Sequence, residues 1–161
     1  MTIIRADAAY PRWPEVLALL QGAFAYMTPL MGHPPGVDSL TASDLADRAE
    51  QGIAWIIEEN DASIACLFAR RSRDLPGALF VNLLAVAEHA RGRRLAGQLM
   101  AAAEAEARTR GFNALTLDTG SALAELRAIY LRWGFTETAD DGEVVTFVKP
   151  LASLSRKGKD A

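Results

Sequence analysis

The sequence predicts one α/β domain of the α+β type, with a mixed, mostly antiparallel central sheet and helices on both faces. Ala78–Val86 is an apolar, leucine- and valine-rich run, which is typical of a strand covered on both faces. A long amphipathic helix and another short strand follow it, and this strand, helix, strand unit predicts a parallel pair. Strand and helix patterns give the order β-α-α-β-β-β-α-β-α-β-β for the whole chain.

The composition fits a single globular domain over residues 1–152, followed by a polar tail over residues 153–161 that we expect to fray. The chain has 161 residues, half of them hydrophobic, and a net charge of −3. This weakly acidic balance disfavours nucleic acid as a partner. No apolar run approaches the roughly 18 residues of a membrane span, and no secretion signal begins the chain, so we expect no membrane association and a cytoplasmic location. The one cysteine, Cys66, lies in an apolar run and is interpreted as core.

The first half of the chain predicts a strand, two helices and a hairpin. Residues 2–5 are β-branched, and Pro14 then marks the first turn of an amphipathic helix. Residues 26–37 contain three prolines and two glycines, so we expect an ordered, exposed loop without regular helix. Loops of this kind often face ligands.

The second helix and the hairpin each have local signals. Thr41 and Asp44 form a capping-box pattern, and Gly52 stops the helix. Residues 53–59 and 63–70 are β-rich, and the turn between them predicts an antiparallel hairpin.

The second half predicts two further helix-to-strand units. Gly111 ends the long helix, and residues 114–118 form the next strand. Residues 123–133 are amphipathic, and glycine closes that helix before a strand that begins at Phe135. Residues 140–142 form a turn into a closing strand over residues 143–149.

The turn between the central strand and the long helix is suited to an anion. Residues 89–97 contain two glycines and three arginines at the start of the helix. The first N–H groups of a helix have no intrahelical partner and carry the positive end of its dipole. A pyrophosphate would fit there. A solvated basic helix start is the alternative.

These residues resemble the acyl-CoA loop of the GNAT acetyltransferase family, which reads Arg or Gln, two residues, Gly, one residue, then Gly or Ala. Arg91 and Ala96 fit, with glycines beside them, while Arg94 stands where the middle glycine is usual. Tyr130, followed after three residues by Gly-Phe, looks like the family's later motif. The resemblance covers nearly the full chain and implies the same fold as the element order.

The resemblance implies an N-acetyltransferase that moves an acetyl group from acetyl-CoA to a primary amine by direct transfer in a ternary complex. It implies a strand bulge at residues 83–86 whose backbone holds the pantetheine arm and polarises the thioester carbonyl. It also implies that Tyr130 protonates the leaving thiolate. Leu123 departs from the asparagine that often contacts pantetheine in the family. The expected acetyl-CoA-binding residues are Leu84, Ala85, Val86, Arg91, Gly92, Arg93, Arg94, Leu95, Ala96 and Gly97.

The acceptor is expected to be a small-molecule amine with an apolar body. In the resembling family it approaches between the first two helices and the closing hairpin. The candidate contact residues are Tyr26, Met27, Met31 and His33. Carboxylates at residues 140–143 could attract the cationic form of the amine, although they could equally only build a turn.

Several alternatives stay open. Glu58, Asp118, His89 and His33 are candidate general bases, and a water chain is another route for the proton. A dinucleotide-binding protein is disfavoured because G-x-G-x-x-G is missing. A non-catalytic acyl-CoA-binding regulatory module remains the alternative to the enzyme. One cysteine and two separated histidines predict no metal site, and a homodimer is left open.

Overall fold

The computed structural model describes residues 1–152, which contain seven strands and five α-helices. The strands are β1 (Thr2–Ala6), β2 (Ile53–Glu59), β3 (Ala62–Arg71), β4 (Ala78–Val86), β5 (Ala114–Gly120), β6 (Thr136–Asp140) and β7 (Val144–Pro150). The helices are α1 (Trp13–Phe24), α2 (Met27–Met31), α3 (Ala42–Gln51), α4 (Leu95–Thr109) and α5 (Ala124–Arg132). The predicted tail over residues 153–161 lies outside the described residues.

The strands form one mixed sheet with the order β1-β2-β3-β4-β5-β7-β6. The antiparallel pairs include β1 with β2, β2 with β3, β5 with β7, and β6 with β7. The pair of β4 and β5 is parallel, with Ala78 opposite Ala114. The predicted fold class and the predicted crossover are therefore confirmed.

The prediction that residues 26–37 contain no regular helix is wrong for Met27–Met31, which forms the short helix α2. Pro29 is the third residue of this helix, where a backbone N–H would have no intrahelical acceptor, so the missing donor costs little. Gly32 then ends α2 with φ of 81°. The strand predicted over residues 114–118 is also two residues longer, since β5 extends to Gly120.

Local signals in the first half act as predicted. The Asp44 N–H donates to Thr41 Oγ1 at 3.1 Å, and the Thr41 N–H donates to Asp44 Oδ2 at 2.8 Å, which completes the capping box of α3. Asn60 and Asp61 adopt φ values of 54° and 61°, as the turn of a two-residue hairpin requires. At Gly52 a Cβ would lie 2.4 Å from the Ala69 carbonyl oxygen, so only glycine fits beside β3.

The chain forms two compact units, of which the first comprises residues 1–70 and 82–101. In this unit α1 and α3 bury their apolar sides against the sheet. The core cluster includes Trp13, Val16, Leu20, Val37, Leu45, Ala49, Ala54, Ile56, Cys66, Phe68 and Ala85. Leu83 packs against this cluster. Cys66 is fully buried, which confirms its interpretation as a core residue.

The second unit comprises residues 71–81 and the described residues from 102 onward. Leu115 and Phe147 are fully buried in it, on the paired strands β5 and β7. Thr116 is also buried, and its hydroxyl donates to the Phe147 carbonyl at 2.8 Å. This bond satisfies a polar group that burial would otherwise leave without a partner.

Candidate functional site

The turn between β4 and α4 has the backbone geometry of an anion site. Gly92 and Arg94 both adopt left-handed conformations, with φ of 80° and 61°. Left-handed residues in a turn can direct successive N–H groups into one concavity, which forms an anion-binding nest. The Gln98 N–H donates to the Arg94 carbonyl at 3.1 Å, so α4 begins directly after Arg94 and its first amides have no intrahelical acceptor.

A cavity of about 190 Å³ opens at this turn. It is lined by Val86, Ala90, Arg91, Gly92, Arg94, Leu95 and Ala96. At Gly92 and Gly97, apart from the chain neighbours and the backbone of α4 itself, no heavy atom lies within 4 Å of the position that a Cβ would take, so no side chain from elsewhere covers these positions. The structure therefore brings together most of the residues that the sequence assigned to acetyl-CoA; Leu84, Ala85, Arg93 and Gly97 are not among the lining residues.

Arg93 points to the β2–β3 hairpin. Its Nη1 donates to Glu59 Oε1 at 3.0 Å, its Nη2 donates to the other carboxylate oxygen, and Nη2 lies 3.6 Å from Met1 Sδ. The hydrogen bond from Arg93 lowers the pKa of Glu59. A phosphate at Arg93 would therefore compete with the Glu59 carboxylate. Arg91 and Arg94 are exposed, and neither forms an ion pair within the part of the chain that the structure describes.

The strand that enters the turn departs from regular geometry at Leu83. Its φ is 54°, a left-handed value within β4. An irregularity of this kind re-aims the backbone groups of the following residues, as a β-bulge does. The Cys66 thiol donates to the Leu83 carbonyl at 3.4 Å. Burial raises the pKa of Cys66 to about 12, so the side chain remains a thiol.

Tyr130 lies in the second unit, on α5, and its ring is buried. The ring centroids of Trp133, Phe135 and Phe147 lie 5.7 to 6.0 Å from that of Tyr130. Leu123, which stands where the family often has asparagine, is also buried. These aromatic contacts hold the Tyr130 ring in place.

The four predicted acceptor residues lie in and around α2, in the first unit. Met27 is buried, Met31 is partly buried, and Tyr26 and His33 are exposed. The His33 ring nitrogen Nδ1 lies 3.0 Å from the Pro34 carbonyl oxygen. Met27 therefore has a packing role whatever else the segment does.

The candidate bases differ in their surroundings. Glu58 accepts a hydrogen bond of 2.6 Å from the Tyr10 hydroxyl and pairs with Arg12. The Tyr10 oxygen also lies 2.6 Å from Ser63 Oγ, and burial raises the pKa of Tyr10. Glu58 is thus engaged in a network between the start of α1 and the hairpin. Asp118 and His89 are exposed.

The acidic turn of the second unit is also engaged. Asp140 accepts a 2.7 Å bond from the Ser121 hydroxyl, which lowers the pKa of Asp140, and a 3.4 Å bond from Arg127. Asp141 accepts from the Val144 N–H at 2.7 Å, which lowers its pKa. Both carboxylates therefore build the turn between β6 and β7.

The sheet order and the turn of residues 89–97 before α4, here named the anion-ready turn, define a mixed α/β protein in which a parallel strand, helix, strand unit carries a turn with two glycines and three arginines. Within this class, the chain belongs to the acetyltransferase (GNAT) family, whose family model matches residues 13–135. The resemblance seen in the sequence is thereby confirmed.

Solved structures agree in fold. A candidate acyl-CoA N-acyltransferase from Klebsiella pneumoniae is 25% identical, with a TM-score of 0.69 over 94% of this chain and 97% of that chain. PaiA N-acetyltransferase from Thermoplasma acidophilum, in complex with coenzyme A, is 10% identical, with a TM-score of 0.77 over 93% and 99%. A ribosomal-protein-alanine N-acetyltransferase from Brucella melitensis is 19% identical, with a TM-score of 0.71 over 94% and 100%.

Among proteins with curated descriptions, none matches the sequence significantly. Membership of this family supports acyl transfer as the activity. In the described part of the chain, no helix has the length and apolar character needed to span a membrane. Over residues 1–152, His, Cys, Asp and Glu side chains form no group of three that could hold a metal ion.

Two features of the site had no local signal in the sequence. Arg94 and Leu83 adopt positive φ without being glycine, asparagine or aspartate. The partners of Arg93 and Cys66 come from elements distant in the chain, so no spacing rule could have identified them.

Proposed function

We propose that this protein is an N-acetyltransferase that moves the acetyl group of acetyl-CoA to the primary amine of a small molecule, by direct transfer in a ternary complex. The observation that carries the proposal is the turn at Gly92 and Arg94, with its cavity at the start of α4. The pyrophosphate of coenzyme A is an anion that suits helix N-terminal amides and guanidinium groups.

The proposal gives each cofactor-binding residue a role. The amides of Gly92, Leu95, Ala96 and Gly97 bind phosphate oxygens, and the exposed Arg91 adds charge. Arg94 replaces the usual glycine and supplies a second guanidinium. Arg93 holds the turn against Glu59. The backbone of residues 84–86 pairs with the pantetheine arm beside the irregularity at Leu83.

The chemistry requires an uncharged amine beside the thioester. The amine nitrogen attacks the carbonyl carbon, and the carbon–oxygen double bond becomes an oxyanion that backbone N–H groups near Leu84 stabilise. The carbon–sulfur bond then breaks as the carbonyl reforms. The thiolate takes a proton from the Tyr130 hydroxyl, and the nitrogen loses its proton to water.

Thioester consumption with a panel of amines tests the activity. We expect turnover of acetyl-CoA with at least one small primary amine, and slower turnover with peptides that carry lysine or a free N-terminus. One observation favours the alternative of a non-catalytic binding module. Leu123, which is buried, stands where the family often has asparagine, and it lacks the amide that would contact pantetheine. Acetyl-CoA binding without turnover of any amine would establish that alternative.

Gly92→Glu tests the donor site. It places a carboxylate in the proposed phosphate site, and we expect acetyl-CoA affinity to fall by at least about tenfold in calorimetry. Gly111→Glu is the matched control, because Gly111 has φ of 81°, is exposed, and likewise has no atom within 4 Å of the position that a Cβ would take. Equal affinity in the two variants would remove the turn from the site.

A further inference from the structure

Leu83 holds a conformation that leucine avoids. A positive φ brings the side chain close to the following carbonyl oxygen, so only glycine, asparagine and aspartate adopt it routinely. At Leu83 the value is 54°, inside a strand and against a packed core. Such a conformation persists only where the surrounding structure over-determines it, and it is typical of functional sites.

The neighbouring strand β3 supplies the restraint through Cys66. The thiol donates to the Leu83 carbonyl at a distance of 3.4 Å from sulfur to oxygen. The backbone N–H of Ala85 also acts on this sulfur, where it lowers the thiol pKa against the larger effect of burial. One buried side chain therefore holds the carbonyl of the residue with the unusual φ.

Cys66 lies in the packed core beside Leu83. Its side chain is fully buried, opposite Ile56 in the β2–β3 ladder. Leu83 packs against the core cluster that contains both Cys66 and Ile56. Because the thiol stays protonated throughout the working pH range, its S–H donor is always present.

We propose that Cys66 is a positioning residue, whose buried thiol holds the Leu83 carbonyl so that the amide of the same peptide, the Leu84 N–H, points the opposite way and faces the thioester carbonyl. The inference rests on the proposed acetyl transfer, because the direction of the Leu84 N–H affects catalysis only if a thioester lies beside it. Cys66 itself touches no reacting atom. Its contribution is to hold a hydrogen-bond donor in place before the reaction, so that no reorganisation is needed as charge develops on the thioester oxygen.

A conformational experiment tests the restraint without reference to activity. Backbone carbon and amide chemical shifts of residues 83–85 are measured by NMR in the wild type, Cys66→Ser, Cys66→Ala and Cys66→Val. The hydroxyl of serine can donate to the Leu83 carbonyl, while alanine and valine cannot. We expect the left-handed signature of Leu83 to persist with serine and to be lost with alanine and valine.

Cys66→Val leaves no cavity, because the valine side chain is slightly larger than that of cysteine, and so it remains informative if Cys66→Ala does not fold. Ile56→Val is the matched control, because it removes one methyl group from the same cluster and no hydrogen-bonding group. Wild-type shifts at Leu83 in both the alanine and valine variants would overturn the proposal.

A kinetic experiment tests the consequence. With the best amine of the panel, we expect Cys66→Ala and Cys66→Val to lower kcat by about tenfold or more, with acetyl-CoA Kd within about twofold of the wild type. Cys66→Ser should recover most of kcat, and Ile56→Val should keep it. Equal kcat in the serine, alanine and valine variants would also overturn the proposal.

The two failures are distinguishable. If the wild type acetylates no amine, the proposed function fails, while the chemical shifts still decide whether the thiol sets the Leu83 conformation. If the wild type is active and the shifts change without any loss of kcat, the thiol restrains the strand but has no part in positioning for catalysis, and the proposal is wrong.

Discussion

At the scale of single residues, Leu83 and Arg94 both adopt positive φ without being glycine. Leu83 lies in the strand before the turn, and Arg94 lies at the end of the turn. Each left-handed conformation lowers the free energy of unfolding, because the Cβ lies too close to the following carbonyl oxygen. Arg94 is exposed, so packing does not compensate for its strain as it does at Leu83. We expect its benefit to lie in binding, through the guanidinium that it adds to the turn.

Arg94→Gly should separate these two effects. Glycine adopts a φ of 61° without steric cost, so the free energy of unfolding should rise by up to about 1 kcal/mol. Acetyl-CoA affinity should fall by roughly fivefold to tenfold because a guanidinium is lost. Arg91→Gly is the matched control, since Arg91 has φ of −67° and glycine there should lower stability. Denaturant unfolding and calorimetry measure both quantities, and a less stable Arg94→Gly would contradict the strain argument.

Tyr130→Phe tests the proposed acid. The ring should stay packed against Trp133, Phe135 and Phe147, so the fold and acetyl-CoA Kd should change little. Turnover should fall by about 100-fold, because the thiolate must leave without a positioned proton donor. Steady-state kinetics over a pH series provides the measurement. Full turnover at every pH would exclude the phenol from proton transfer.

At the scale of elements, the anion-ready turn is tied to the β2–β3 hairpin by Arg93 and Glu59. The hairpin itself is held to the start of α1, where the Ser63 N–H donates to Glu15 at 2.7 Å. The turn is therefore supported by the β2–β3 hairpin directly and by α1 through the hairpin. Because these contacts already order the turn, ligand binding loses less conformational entropy there.

The Arg93–Glu59 pair distinguishes a tether from a phosphate ligand. If Arg93 is a tether, Glu59→Gln and Arg93→Gln should each weaken acetyl-CoA binding by about twofold to fivefold, and the double variant should be no weaker than either. If Arg93 were instead a phosphate ligand, freeing it in Glu59→Gln would strengthen binding. Calorimetry on the three variants decides between the two roles.

The same pair predicts a dependence of stability on pH. Because the folded-state pKa of Glu59 is lowered, its contribution is fully present above the unfolded glutamate pKa of about 4.3 and is lost as pH falls through the folded value. The Tm of the wild type should therefore exceed that of Glu59→Gln near neutral pH, and the difference should vanish in strong acid. A difference that grows on acidification would contradict this sign.

At the scale of the whole molecule, a net charge of −3 coexists with three arginines in four residues at the turn. A net negative charge repels large polyanions, while the positively charged turn attracts a small anion such as the pyrophosphate of the donor. Because salt screens this attraction, binding of acetyl-CoA should weaken as salt is added. The apolar segment around α2 provides the contrasting surface that we propose for the acceptor.

Variants around α2 test that proposal. We expect Met31→Ala and His33→Ala to raise the acceptor KM by about threefold to tenfold with little change in the acetyl-CoA KM. Met27 is buried, so Met27→Leu, which keeps its volume, replaces the alanine variant there. Leu75→Ala is the control, since Leu75 is partly exposed and belongs to the second unit. Unchanged acceptor KM in all three variants would place the acceptor elsewhere.

The sequence by itself determined most of the fold. Alternating apolar residues, the capping box at Thr41 and the glycine stops are local properties, and the strands and helices that they predict are present. The helix α2 was missed because three prolines in a short segment suggest irregular chain, whereas one of them lies where a helix needs no N–H donor. The anion-ready turn was also local, since it depends on neighbouring amides and side chains.

Only the tertiary structure decided how that turn and the strand before it are held. Arg93 meets Glu59 and Cys66 meets Leu83 because the sheet places β2, β3 and β4 side by side, although these residues are far apart in the chain. The left-handed conformation of Leu83 accompanies such contacts, against the preference of leucine itself. Local sequence sets intrinsic preference, and the packed neighbours decide where that preference is overruled.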